Sequence, residues 1–217
     1  MGYFISIEGG EGSGKSSVLK EVISRLNKDG YNNIVTSREP GGIKIATDIR
    51  QVILDKENTS MDAVTEMFLF AASRRQHIVE KVLPCLENNA IFVCDRFVDS
   101  SYVYQGIAGN VGLDTVIKVN DIATIGCVPN LTILFDVDPR IGLKRISDNK
   151  DREVNRLDLK SLEYHDKIRS GYLEIAKMFK DRIVVIDASK NFDEVVNEVY
   201  NLIKSKLEEN GYERVSG

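Results

Sequence analysis

The sequence has few of the residues that build metal centres and disulfide frameworks, with three cysteines (Cys85, Cys94, Cys127) and two histidines in 217 residues. The cysteines are odd in number and widely spaced, which fits neither a zinc site nor a disulfide set and points to a reducing compartment. No apolar run approaches the roughly 18 residues that a membrane span requires. The opening Met1-Gly2-Tyr3-Phe4 enters a strand pattern without a basic n-region or an apolar h-region. No polybasic segment supports a lipid anchor at Gly2, so the expected location is cytoplasmic and no membrane is expected as a partner. With 29 Lys and Arg against 33 Asp and Glu, the net charge is −4. There is thus no global basic field to draw in long nucleic acid, and any anionic ligand must be held by a local cluster of Arg and Lys. Repeats and low-complexity segments are also missing. Apolar residues at 42% and charged ones at 29% are the composition of a globular protein, and the length suits one α/β domain over 1–217.

Strand-like runs recur at 3–8, 34–37, 90–95, 131–137 and 183–187, separated by longer segments of helical periodicity. That alternation predicts a mostly parallel sheet with helices on both faces and ligands at the carboxyl ends of the strands. Glu8, Arg38-Glu39, Asp95-Arg96 and Asp136 to Asp138 all fall at strand ends, on one expected edge.

Between the first strand and a helix lies GGEGSGKSS, which fits G-x-x-x-x-G-K-[ST] with Gly9, Gly14, Lys15 and Ser16. Glycines let backbone N–H groups turn inward around an anion, and the helix adds its positive dipole end. Gly9, Gly10, Glu11, Gly12, Ser13, Gly14, Lys15, Ser16 and Ser17 are therefore the candidate ATP loop. Lys15 reaches the β and γ phosphates, and the Ser16 hydroxyl ligates Mg²⁺. The loop identifies a phosphate donor and leaves the receiver open. A guanine-reading N-K-x-D is missing, because Asn27 to Gly30 and Asn149 to Arg152 do not supply it. This disfavours a GTP switch and leaves small-molecule kinases ahead.

Other residues suggest that the acceptor is itself a nucleotide. In the helical run 62–83, Val64, Phe68, Ala71, Ile78 and Val82 form an apolar stripe. Phe70 and Arg74, four apart, lie on another flank, as a ring and a guanidinium suited to a base. Ser101 and Gln105 repeat the spacing, and a Gln amide suits an imide-like base edge. Arg50 and Arg96 are candidates to clamp the acceptor phosphate, though each is also compatible with a surface ion pair. The polar stretch 147–156 reads equally as a solvated loop or as a lid carrying Arg152 and Arg156. The tail after Leu207 reads as a frayed terminus.

With these residues in view, the chain resembles the thymidylate kinase family over roughly residues 3–205. The resemblance rests on FISIEGGEGSGKSS, SREPGG, LFAASRRQH, CDRFVDSSYVYQG, PNLTILFDVD and NRLD, in that order. It implies a P-loop kinase core with a five-stranded parallel sheet and a short lid at about 147–157. It also implies a homodimer, Mg²⁺, and transfer of the ATP γ-phosphoryl group to dTMP. In its terms Glu11 holds the deoxyribose 3′-hydroxyl, and Arg50 and Arg96 take the dTMP phosphate. Phe70 lies against thymine, Arg74, Ser101 and Gln105 read its edge, and Ser100 joins the acceptor set. Tyr104 guards the sugar position that bears a 2′-hydroxyl in ribonucleotides, and Arg145 flanks adenine. Glu39 and Asp95 lie near Mg²⁺ and its waters or the acceptor, Glu39 also joining the acceptor set, and Lys15, Asp95 and Arg96 are implied as catalytic. Some family members carry an arginine inside the P-loop, where this chain has Gly12. The catalytic arginine is therefore expected in the lid, as Arg152 or Arg156. Phe97 stands where a Tyr is usual. A kinase for another nucleoside monophosphate is the alternative within the same class.

Overall fold

The computed structural model describes residues 2–148 and 160–212. The strands are β1 (Tyr3–Gly9), β2 (Ile34–Arg38), β3 (Ile91–Asp95), β4 (Leu131–Asp136) and β5 (Ile183–Asp187). The helices are α1 (Lys15–Lys28), α2 (Lys44–Leu54), α3 (Ala63–His77), α4 (Leu83–Glu87), α5 (Val98–Ser101), α6 (Leu113–Thr124), α7 (Pro139–Asp148), α8 (Leu162–Met178) and α9 (Phe192–Glu209). One π-helical segment, Ile78–Val82, joins α3 to α4, and another, Tyr102–Ala108, follows α5.

All five strands are parallel, in the order β2-β3-β1-β4-β5. β1 is central and buried on both faces, so its period-2 alternation divides two cores rather than a core from solvent. Ile5 and Ile7 meet α1 and α9 through Val22, Leu26, Val196 and Val199. Phe4, on the other face, meets Phe92, Phe97 and the α3 to α4 segment. Because every connection is parallel, all strand carboxyl ends share one edge, and the loops after β1, β2 and β3 converge there.

Two sequence expectations are corrected. The buried row of the 62–83 run is Met67, Ala71, Arg74, Ile78 and Val82, whereas Val64 and Phe68 are 42% and 56% exposed. Both rows have helical spacing, and periodicity alone cannot choose between them. The π turn lies just ahead of Pro84, which has no N–H and crowds the carbonyl four residues back. The tail is also ordered further than expected. α9 continues to Glu209, Tyr212 N–H donates to the Leu207 carbonyl, and the Tyr212 ring meets Tyr3 edge-on at 6.0 Å.

Candidate active site

The loop from Gly9 to Gly14 leaves β1 and turns into α1 through left-handed backbone at Gly12 (φ 69°) and Gly14 (φ 86°). Lys15 Nζ donates to the carbonyls of Gly9 and Gly10, each at 2.9 Å, and to Ser13 Oγ at 3.1 Å. Ser13 Oγ donates to the Gly10 carbonyl. Burial, with Arg96 second, brings the Lys15 ammonium down from its ordinary 10.5 to about 8 against the opposing charges of Asp95, Glu11 and Glu8. The loop rests against α7 at Gly142. A Cβ on Gly12 would fall 2.0 Å from the Gly142 carbonyl oxygen, and one on Gly142 would fall 2.3 Å from that of Glu11. Position 12 therefore has no room for any side chain, which gives a physical reason why an in-loop arginine is missing.

Ser16 Oγ donates to Asp95 Oδ2 at 3.1 Å, while Asp95 Oδ1 is buried without a hydrogen-bond partner. Among the described residues no group of three or more His, Cys, Asp or Glu gathers to hold a metal. A hydroxyl beside a carboxylate with an unused oxygen is instead the partial oxygen set that Mg²⁺ completes with water and phosphate. The residues present fit that ion.

Arg96 follows β3 with φ 68°, a left-handed conformation that turns its side chain into the cleft. Its Nη2 donates to Glu11 Oε1 at 2.7 Å, and its Nη1 to Tyr172 Oη at 2.9 Å and Ser100 Oγ at 3.2 Å. The guanidinium lies 5.1 Å over the Tyr104 ring, and Tyr104 Oη also donates to Glu11 Oε1. One carboxylate thus orients both Arg96 and Tyr104.

These groups open onto a single cavity of about 420 Å³. Its walls run from Glu11 through Ser17 along the phosphate loop to Glu39, Arg50, Phe70, Asp95, Arg96, Ser100, Tyr104 and Gln105. Arg50 Nη1 donates to the Pro40 carbonyl, and Gln105 Nε2 to Glu66 Oε1. Arg74 is 2% exposed. Its Nε donates to Glu39 Oε2, its Nη1 to Ser101 Oγ and Asn120 Oδ1, and its Nη2 to the Phe97 carbonyl. Four of its five N–H groups are committed, so at most one remains for a base edge. The other Glu39 oxygen pairs with His77 Nδ1 at 2.9 Å. Both Glu39 oxygens thus face Arg74 and His77, behind the cis Glu39–Pro40 peptide. Phe97 is fully buried, edge-on to Phe4 and 5.4 Å beneath the Arg74 guanidinium.

Arg145, in the last turn of α7, donates from both terminal nitrogens to the Ala188 carbonyl, on the donor side beside Gly14. Arg152 and Arg156 lie outside the described residues. Sequence reasoning placed Glu8 and Arg38 on the strand-end edge without giving them a role, and missed the supporting groups His77, Asn120 and Tyr172; Arg38 and the equally missed Leu54 line the cavity. Glu8 and Arg38 carried a signal, as charges at the ends of strand runs, whereas His77, Asn120, Tyr172 and Leu54 carried none.

A glycine-rich phosphate loop after the central strand of a 2-3-1-4-5 parallel sheet, with one cleft for donor and acceptor, defines a P-loop kinase. The family model described as Thymidylate kinase matches residues 7–199, and the chain belongs to that family. A thymidylate kinase of Geobacillus thermodenitrificans is 52% identical over 95% of this chain and 92% of its own length. One from Ligilactobacillus salivarius is 50% identical over 94% and 98%. The crystal structure of thymidylate kinase from Ehrlichia chaffeensis superposes with a TM-score of 0.74 at 28% identity, covering 94% of this chain and 98% of that one.

Proposed function

We propose that the cleft transfers the γ-phosphoryl group of ATP to dTMP, giving ADP and dTDP, which is the reaction of the family to which the chain belongs. The observation that carries the reading is the continuity of one cavity from the phosphate loop to Arg96, Phe70 and Gln105. A donor phosphate on the loop and a nucleotide phosphate at Arg96 can then meet in line across Asp95.

The acceptor phosphate is already ionised, so the site needs position and charge rather than a strong base. Lys15 leaves the loop carbonyls for the β and γ oxygens, while Arg50 and Arg96 neutralise the acceptor phosphate. Ser16 and Asp95 would hold Mg²⁺, which would supply positive charge to offset that of the donor phosphates. Phe70 stacks on thymine, Ser101 holds Arg74 at the base edge, and Gln105 offers its amide there. Glu11 and Tyr104 face the sugar, and Arg145 flanks adenine. Arg152, with Arg156 second, supplies the lid charge, and Arg152→Ala is expected to lower kcat by roughly 10³-fold with little change in dTMP KM.

We also infer a homodimer. Ile45 and Val52 on α2, Val64 and Phe68 on α3, and Val79 beyond them are large apolar side chains left exposed. Among the described residues no helix is long and apolar enough to cross a membrane, and a cytoplasmic location is the reading we adopt.

The deciding experiment measures ADP formation from Mg-ATP with dTMP, dUMP, CMP, GMP, AMP or no acceptor. Turnover is expected with dTMP and more weakly with dUMP. Equal turnover without acceptor means that water takes the phosphate, and overturns the reading.

A further inference from the structure

Glu8 is a fully buried carboxyl on β1 that lines neither wall of the cavity and has no part in the chemistry above. Its contacts nevertheless converge on the turn that carries Arg96. Phe97 N–H donates to Glu8 Oε1 at 2.7 Å, and Ser100 Oγ and Tyr172 Oη donate to Oε2 at 2.6 and 3.1 Å. The two hydroxyls are 2.8 Å apart, and both accept from Arg96 Nη1. Ser100 donates to an ionised Glu8, and Tyr172 turns its single proton towards Glu8 or towards Ser100, so in either arrangement neither hydroxyl proton points at Arg96. The oxygen lone pairs are then left facing Arg96. The left-handed backbone at Arg96 is held from the same side, because the next N–H is bound to Glu8.

We propose that Glu8 is a positioning residue for the acceptor half of the site: through Phe97 N–H and the Ser100 and Tyr172 hydroxyls it aims Arg96 at the phosphate of the incoming nucleotide. A carboxylate is suited to this because it only accepts, whereas an amide or a protonated acid must donate from one oxygen or nitrogen and reverse a hydroxyl. Burial, with Asp99 on α5 second, raises the Glu8 carboxyl to about 7 against the hydrogen bonds from Ser100 and Phe97 N–H and the charge of Arg96. Arg96, Lys15 on α1 and Arg182 ahead of β5 face it as cations, and Cys94 and Tyr172 as neutral groups. The accepting form is therefore lost as pH falls through about 7.

The inference rests on the assignment of Arg96 to the acceptor phosphate, and the test separates the two. Binding of dTMP and of thymidine, which lacks the phosphate, is measured by calorimetry for the wild type, Glu8→Gln, Tyr172→Phe and Arg96→Ala. Glu8→Gln is expected to weaken dTMP roughly tenfold and to leave thymidine affinity unchanged. The wild-type dTMP-over-thymidine preference is expected to fall from pH 8 to 6 more steeply than in Glu8→Gln, where only the ionisation of the phosphate remains. Equal effects on both ligands, or no effect on dTMP, overturn the role of Glu8. If Arg96→Ala itself fails to distinguish dTMP from thymidine, the phosphate assignment falls first and the inference with it. Should Glu8→Gln not fold, Tyr172→Phe carries the test, since it removes one of the two hydroxyls and is expected to show the same phosphate-selective loss.

Discussion

Lys15 is under two opposed demands. Phosphate binding needs it charged, while its burial against the loop brings its proton loss down to about 8 from the ordinary 10.5. Two consequences of opposite sign follow. In the free enzyme the charged form disappears above about pH 8, so kcat/KM for Mg-ATP should fall along an alkaline limb centred there, whereas kcat should hold to higher pH because bound phosphates retain the proton. Stability should move the other way. Between about 8 and 10.5 the unfolded chain binds more protons at this position than the folded one, so relative to Lys15→Met the wild type should gain melting temperature with rising pH across that window. Phe70 makes a simpler demand. With Phe70 on thymine as proposed, its replacement by Ala removes roughly 1–3 kcal/mol of base stacking, so Phe70→Ala should raise dTMP KM about tenfold or more with a smaller change in kcat. Normal dTMP binding by that variant would sink the acceptor assignment. At this scale the residue types were legible in the sequence, but their partners were not. Nothing in the spacing indicates that Arg74 spends four of its N–H groups on Glu39, Ser101, Asn120 and Phe97, because those partners come from three separate segments, after β2, around α5 and within α6.

Among the elements, the phosphate loop is held as much by α7 as by its own turns. The approach of Gly142 to Glu11 and Gly12 leaves no room for a methyl group on either side. Gly142→Ala should therefore push the loop off α7, at roughly 1–3 kcal/mol of stability. A lower melting temperature should accompany a fall of tenfold or more in kcat/KM for ATP, measured by thermal melts and steady-state kinetics. Unchanged kinetics would mean that the loop takes its shape from its glycines alone. Gly142 carried no signal in the sequence, because an isolated glycine in an amphipathic helix reads as a tolerated defect. The five strands, in contrast, were legible almost to the residue, since buried parallel strands are short apolar runs bounded by polar ends. α3 was legible as a helix, and Ala71, Ile78 and Val82 of the expected stripe are buried; only its first turns were misread, where Met67 turns inward in place of Val64 and Phe68, a choice that packing makes.

At the scale of the whole molecule, large apolar side chains on α2 and α3 are exposed, and the proposed homodimer would cover them. Phe68→Glu would set a charge in that patch, so sedimentation should change from twice the chain mass to the chain mass. A wild type that sediments as a monomer at micromolar concentration would end the dimer proposal. The sequence by itself determined the class of chemistry: the phosphate loop, the strand and helix alternation and the ordered motifs depend on residue types at short spacings, which local backbone geometry reads directly. Only the tertiary structure decided what each group faces. The parallel sheet gathers loops from β1, β2 and β3 onto one edge, brings Ser16 to Asp95 across 79 residues and Tyr172 to Glu8 across 164, and buries one charge while leaving another in the cleft. Those pairings depend on chain closure over long separations, and no local pattern of residues encodes them.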